Sequence, residues 1–424
     1  MRTTRLVFSA LIVGAILLVA GSVQSQKLPE GNACVGCHQA LGDPRVTPPA
    51  ERFAQDIHLA KGILCQDCHG GDPSKFDAGA AMNRAKGFIG KPTHQAIPQL
   101  CGKCHSNPTY MKKFNPTIRV DQVQEYYTSV HGKLLRQGDQ KVATCISCHS
   151  VHNIRAIKDQ QAWTYPVKVV ETCGRCHGDP KYMQGYKIPT DVVEKYKKSV
   201  HYEALTRKGD LSAPTCNVCH GNHGATPPGT DSVAYVCGTC HSVPEEFFSK
   251  SPHRAAFAAL GLAPCVTCHS NHDVMKTSDT MVGTTDNAVC LNCHGPTTAG
   301  YEKAAMIRAS LDALREDVHR TTEILDRAEN AGMEVSQAKF ELRGAQDILL
   351  KARAAVHLFD PPAVKKLTDD GVQLANKMYA KGTQAMEDLR FRHRGLWVSV
   401  GIILVAIVGL ALKIKEIDRR QGES

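Results

Sequence analysis

All eighteen cysteines of this 424-residue chain fall in nine copies of Cys-x-x-Cys-His, and none is left over. The copies are Cys34-Val-Gly-Cys37-His38, Cys65-Gln-Asp-Cys68-His69, Cys101-Gly-Lys-Cys104-His105 and Cys145-Ile-Ser-Cys148-His149. They continue with Cys173-Gly-Arg-Cys176-His177, Cys216-Asn-Val-Cys219-His220, Cys237-Gly-Thr-Cys240-His241, Cys265-Val-Thr-Cys268-His269 and Cys290-Leu-Asn-Cys293-His294. A disulfide scaffold would scatter its cysteines. A zinc protein would leave some pairs without an adjacent histidine. Here every pair has one. Two thiols separated by two residues can add to the two vinyl groups of one porphyrin, and the next histidine then sits under the iron as proximal ligand. The motif set therefore predicts nine covalently attached haem c groups.

The rest of the composition fits that reading. Apolar residues make up 42% of the chain, yet only two are Trp, with 11 Phe and 11 Tyr. The interior around the motifs must be filled by something other than aromatic side chains. From Cys34 to His294 there is too little chain for each haem to have its own globular fold. Short helices ending at the motifs, joined by loops, with porphyrins as the apolar core, are expected. The formal charge of +10 is offset by haems, each carrying roughly one net negative charge with ionised propionates. No basic stretch with interleaved aromatics points to nucleic acid.

Both ends carry apolar runs. Arg2 and Arg5 precede an apolar stretch from Leu6 to Val23. Cleavage after Ser25 would make residues 1–25 a signal peptide; an uncleaved anchor is the alternative. The second run, Gly395 to Leu412, has no charge over 18 residues and would rise about 27 Å as a helix, close to the hydrocarbon thickness. Lys413, Lys415, Arg419 and Arg420 follow it. With the body exported, this is a single-pass anchor with a basic cytoplasmic tail, 413–424.

The remaining histidines reveal a repeat. Ser129-Val130-His131 precedes Cys145, and His152 follows His149 by three residues. His201 and His223 flank the Cys216 motif in the same way, and His253 and His272 flank the Cys265 motif. A second motif follows each time, so the unit is His, motif, His, motif, three times over. In a looser fourth copy His58 precedes Cys65, His94 precedes Cys101, and Asp72 replaces the middle histidine. One spare histidine per motif is what bis-histidine haems require. A histidine three residues past a proximal ligand cannot easily reach the far side of its own haem. His152, His223 and His272 are therefore expected to cap neighbours. The haem at Cys34 stands apart: its sixth position is vacant, or taken by Met82, or filled from the C-terminal region.

Residues 301–394 lack cysteine. Ile307, Leu311, Leu314, Val318, Thr321, Leu325 and Ala328 alternate spacings of four and three, as do Val335, Ala338, Leu342, Ala345, Leu349, Ala352 and Val356. Both are coiled-coil seams with Gly332 at the turn between them. Asp360-Pro361-Pro362 starts a third helix leading into the anchor. In this antiparallel stalk His357 lies near the last motif and is the better candidate for a ninth distal ligand. His319 and His393 read as a helix-face and an interfacial residue.

Over residues 34–294 the chain resembles the multihaem c-type cytochromes with paired CxxCH motifs. The resemblance implies periplasmic or extracellular electron transfer through closely packed bis-histidine haems. The long helices after the haem region are also similar to those of pentahaem nitrite reductases and octahaem hydroxylamine oxidoreductases, although the lysine-ligated Cys-x-x-Cys-Lys motif is absent. The fold expected is mainly α with much loop: a haem domain over 26–300, a helical stalk over 301–394 and a membrane helix over 395–412. The function expected is relay of electrons between a quinol-oxidising complex of the cytoplasmic membrane and other cytochromes or a terminal reductase. This makes the chain an electron-transfer protein rather than an enzyme. The alternative is reduction or oxidation of a small nitrogen or sulfur oxyanion at an open first haem.

Overall fold

The computed structural model describes residues 28, 30–227 and 229–422. The expected signal segment lies outside them. The described chain is mostly helical, with no strand among those residues. It forms two compact units: residues up to Val233 with His272–Val274, and Ala234–Asn271 with Met275 onward.

The motifs take two local forms. Those at Cys65, Cys145 and Cys216 occupy five-residue helices, Cys65–His69, Cys145–His149 and Cys216–His220, each entered from an extended residue. The Cys265 motif ends in the similar helix Val266–His269. The residue after each of these histidines has a positive φ: 71° at Gly70, 69° at Ser150, 78° at Gly221 and 65° at Ser270. That conformation stops the helix within one residue and turns the chain away. We call these turned motifs. The motifs at Cys101 and Cys173 instead close longer helices, Ile97–His105 and Pro166–His177, with proline in the first turn and apolar Ile97, Val169 and Val170 buried. Those at Cys237 and Cys290 lie on 3-10 helices, Val233–Thr239 and Val289–Asn292. These four are the straight motifs, and the two kinds alternate along the chain from Cys65 onward.

The Ser-x-His segments start helices. Ser129 and Ser199 accept hydrogen bonds through Oγ from Gly132 and Tyr202 backbone N–H, both at 3.1 Å. They thereby cap Val130–Arg136 and Val200–Arg207. Ser251 precedes Pro252–Leu260 in the same position. The two serine caps fix His131 and His201 in the first helical turn, and His253 occupies the same turn although Ser251 Oγ donates to Phe248 O rather than capping the helix.

The second unit holds the stalk. Ala299–Asn330 and Ser336–Ala355 are antiparallel about Gly332, whose φ is +81°. Both seams read from the sequence are buried against Val364, Ala375, Met378 and Ala385 of the third helix, Pro361–Gly422. Leu314 and Leu325 are fully buried. The third helix continues without a break into an apolar stretch whose side chains are exposed. It is long and apolar enough to cross a membrane.

Candidate haem-binding site

Fourteen imidazoles of the described chain meet two at a time. In the first unit His69 faces His152 with ring centroids 6.0 Å apart, His105 faces His58 at 6.0 Å, and His177 faces His131 at 6.0 Å. His149 faces His223 at 6.1 Å and His220 faces His272 at 5.9 Å. In the second unit His294 faces His253 at 5.9 Å and His269 faces His357 at 6.0 Å. The separations differ by at most a few tenths of an ångström although the backbones behind them differ. Side chains packed directly on one another would be nearer and less uniform. A metal–imidazole bond of about 2 Å on each side, plus about 1 Å from each nitrogen to its ring centre, requires this separation. Each gap is therefore the size of one iron between two axial ligands. Among the described residues no three or more of His, Cys, Asp and Glu converge to hold a metal ion. That is the geometry of an axial pair rather than of a tetrahedral zinc site.

The pairing follows a rule. A histidine three residues past one turned motif faces the turned-motif histidine of the preceding unit: His152 on His69, His223 on His149, His272 on His220. The last turned motif has no unit after it, and the stalk's His357 takes that place opposite His269. Straight motifs are faced from within their own unit, His58 on His105, His131 on His177 and His253 on His294. The ring planes differ accordingly. Turned pairs are near parallel, at 20°, 6°, 14° and 24°. Straight pairs are crossed, at 84°, 58° and 87°.

Burial and, second, the facing His223 push His149 down to about 4. The same two causes hold His105, His131, His152, His220, His253 and His269 below the ordinary histidine range. Both causes favour the neutral ring in these seven, the form that ligates a metal. Several have their other nitrogen fixed, as oriented ligands do. His69 Nδ1 is 2.9 Å from Gly90 O, His357 Nδ1 is 2.9 Å from Ala354 O, and His58 Nδ1 is 2.9 Å from Asp56 Oδ1. Asp56 was not singled out in the sequence, where its only signal is its place two residues before His58.

Successive motifs adjoin. Ile97–His105 packs on Cys145–His149, which packs on Pro166–His177, which packs on Cys216–His220. The first cysteines also meet in pairs. A hydrogen bond with Cys145 raises the Cys101 thiol, one with Cys216 raises Cys173, and in the second unit one with Cys237 raises Cys265. These sulfurs stand where the thioether links of neighbouring porphyrins would be.

Other candidates are placed differently. His94 Nε2 lies 2.8 Å from Val142 O, and the structure does not bring it to a motif histidine. His105, the histidine of the motif that His94 precedes, faces His58 instead. His38 lies on the helix Ala33–Ala40, and its carbonyl accepts from Thr47 Oγ1 at 2.6 Å. No imidazole among the described residues faces it. His201 occupies the capped-helix position of His131, and His241 opens the helix Ser242–Lys250. Met82 is exposed. His319, 3.9 Å from Glu323, and His393 lie on exposed helix surface.

The family described as a doubled CXXCH motif matches residues 257–299, which hold the last turned and straight motifs. The chain is similar to the C-type polyheme cytochrome OmcC of Geobacter sulfurreducens, with 22% identity over 209 residues, covering 44% of this chain. It spans only 26% of that relative's length. No solved structure matches it. With the repeated motifs and their geometry, these matches define a multihaem c-type cytochrome carrying covalently bound haem c.

Proposed function

We propose that this chain is a nine-haem electron conduit tethered to the cytoplasmic membrane by its C-terminal helix, with the haem domain in the periplasm. It would take electrons from a quinol-oxidising membrane complex and pass them to other cytochromes or a terminal reductase. The observation that carries this reading is the iron-sized gap recurring between imidazole pairs. Haem iron supplies one-electron redox chemistry when bound.

The chain's own residues supply the rest. Each Cys pair, from Cys34 and Cys37 to Cys290 and Cys293, would anchor one haem, and His38, His69, His105, His149, His177, His220, His241, His269 and His294 would hold the haems from the motif side. His58, His131, His152, His223, His253, His272 and His357 close the far side of seven of them. Two imidazoles holding one iron would leave no position for a substrate, which favours relay over catalysis. Adjoining motifs favour hopping in sequence order within each unit. A donor beyond the chain itself is favoured because one transmembrane helix makes a poor quinone pocket.

The test is a low-temperature EPR spectrum of the oxidised, detergent-solubilised holoprotein with and without nitrite. A spectrum dominated by low-spin ferric haem and unchanged by nitrite supports the conduit. A high-spin signal near one haem equivalent that shifts with nitrite would favour oxyanion chemistry at the Cys34 haem.

A further inference from the structure

Asp56 is 2% exposed, and both of its carboxylate oxygens are engaged by the segments that carry two facing histidines. Oδ1 accepts from the His58 backbone N–H at 2.9 Å and lies 2.9 Å from His58 Nδ1. Oδ2 accepts from the Ile154 backbone N–H at 2.7 Å, far away in sequence. The next residue completes the link, with Ile57 N–H donating to Ile154 O at 2.7 Å. Ile154 follows His152 by two residues, and His152 faces His69. One buried carboxylate thus grips the segments that present His58 to His105 and His152 to His69.

A charged group is rarely buried unless it has work that a neutral group cannot do. Holding a backbone turn needs only an amide oxygen. At His69 and His357 a main-chain carbonyl suffices to fix Nδ1. At His58 the acceptor is a carboxylate. An imidazole that gives its Nδ1 proton to a carboxylate in a strong hydrogen bond becomes a more basic ligand through Nε2 and stabilises the more positive oxidation state of the metal.

We propose that Asp56 is a positioning residue that tunes the Cys101 haem. It polarises His58 so that this haem is harder to reduce than it would be with a neutral acceptor, and it holds His152 in place on the Cys65 haem. The proposal rests on the bis-histidine reading above. In sequence order it makes the third haem a step of lowered potential between its neighbours.

The experiment compares wild type with Asp56→Asn, Asp56→Ala and His58→Ala, each as full-length holoprotein with its covalent haem content checked by mass. EPR-monitored redox titration is the readout. In Asp56→Asn an acceptor oxygen remains but the charge is gone. One low-spin haem should then be easier to reduce by about tenfold, equivalent to 59 mV for a one-electron couple, with its low-spin ligation kept. Asp56→Ala should give the same upward shift and also broaden the signal of a second haem, as His152 loosens. A purely structural role would lower the melting temperature of Asp56→Ala and leave the Asp56→Asn titration on the wild-type curve, and that result overturns the proposal. His58→Ala separates this failure from that of the underlying reading. If it produces no new high-spin haem, His58 is not an axial ligand. If it does while the Asp56 variants titrate as wild type, only the role of Asp56 falls.

Discussion

Four residues show how narrowly the backbone is set at the turned motifs. Gly70, Ser150, Gly221 and Ser270 share a positive φ and an extended ψ, a region nearly reserved for glycine. Two of the four are serine, so the conformation alone can be tolerated with a side chain. At Gly70 space forbids one, because an added Cβ would stand 2.0 Å from Gly87 O. Gly70→Ala must push the backbone aside and should cost about 3 kcal/mol or more. Thermal unfolding of the holoprotein checks it, and an unchanged melting temperature would contradict the close approach. These backbone demands leave little trace in sequence, where glycine and serine are common. The ligand pattern left more. Cysteine spacing marked every candidate anchor, and the Ser-x-His pattern marked the three helix starts that carry His131, His201 and His253. The contact of His94 with Val142 O left no such trace, because it is long-range and no local spacing distinguishes His94 from the repeat histidines.

At the scale of elements, the stalk was legible because its seams obey a local rule: spacings of three and four bury one face of each helix. What the seams could not reveal is how the helices grip the loop beside them. Asp279, 9% exposed at its side chain, accepts twice from Arg353 at 2.8 Å, through Nε and Nη2, and lies 3.6 Å from Arg315. Its carbonyl accepts from Arg308 at 2.6 Å. One residue thus joins the first two stalk helices to the segment after the Cys265 motif, and its partner Arg353 lies four residues before His357. The hydrogen bond with Arg353 holds the Asp279 carboxyl below its ordinary value. A carboxyl lowered on folding adds stability that is complete above its unfolded value, near pH 4, and is lost as pH falls through the lowered one. Wild type should therefore melt above Asp279→Asn at pH 7, and the two should converge as pH falls through the lowered value. Equal melting temperatures at pH 7 would remove the clamp from the account. The same titration followed by EPR reads His357, since a loosened stalk end should release one low-spin haem first.

Across the whole chain the ring planes carry the largest consequence. Among the pairs described above, the four turned ones lie within 24° of parallel and the three straight ones at 58° or more. In five of these pairs the backbone that delivers the facing ring differs in step: His131 and His253 stand in a helical first turn, whereas His152, His223 and His272 follow a residue of positive φ by two positions. Parallel imidazoles donate π density to the same iron d orbital and split it from its partner; crossed imidazoles donate equally to both and leave them close in energy. If both rings of each pair bind one iron, oxidised protein should show two populations of low-spin haem. Turned-motif haems should give ordinary rhombic spectra, and straight-motif haems strongly anisotropic ones with a larger maximum g value. The assignment is testable one pair at a time. His223→Ala should remove intensity from the rhombic population alone, and His131→Ala from the anisotropic population alone. If both variants drew on a single population, the alternation would have no electronic meaning. If they draw on different ones, successive haems along this chain are electronically unlike, and an electron moving in sequence order meets the two kinds in turn.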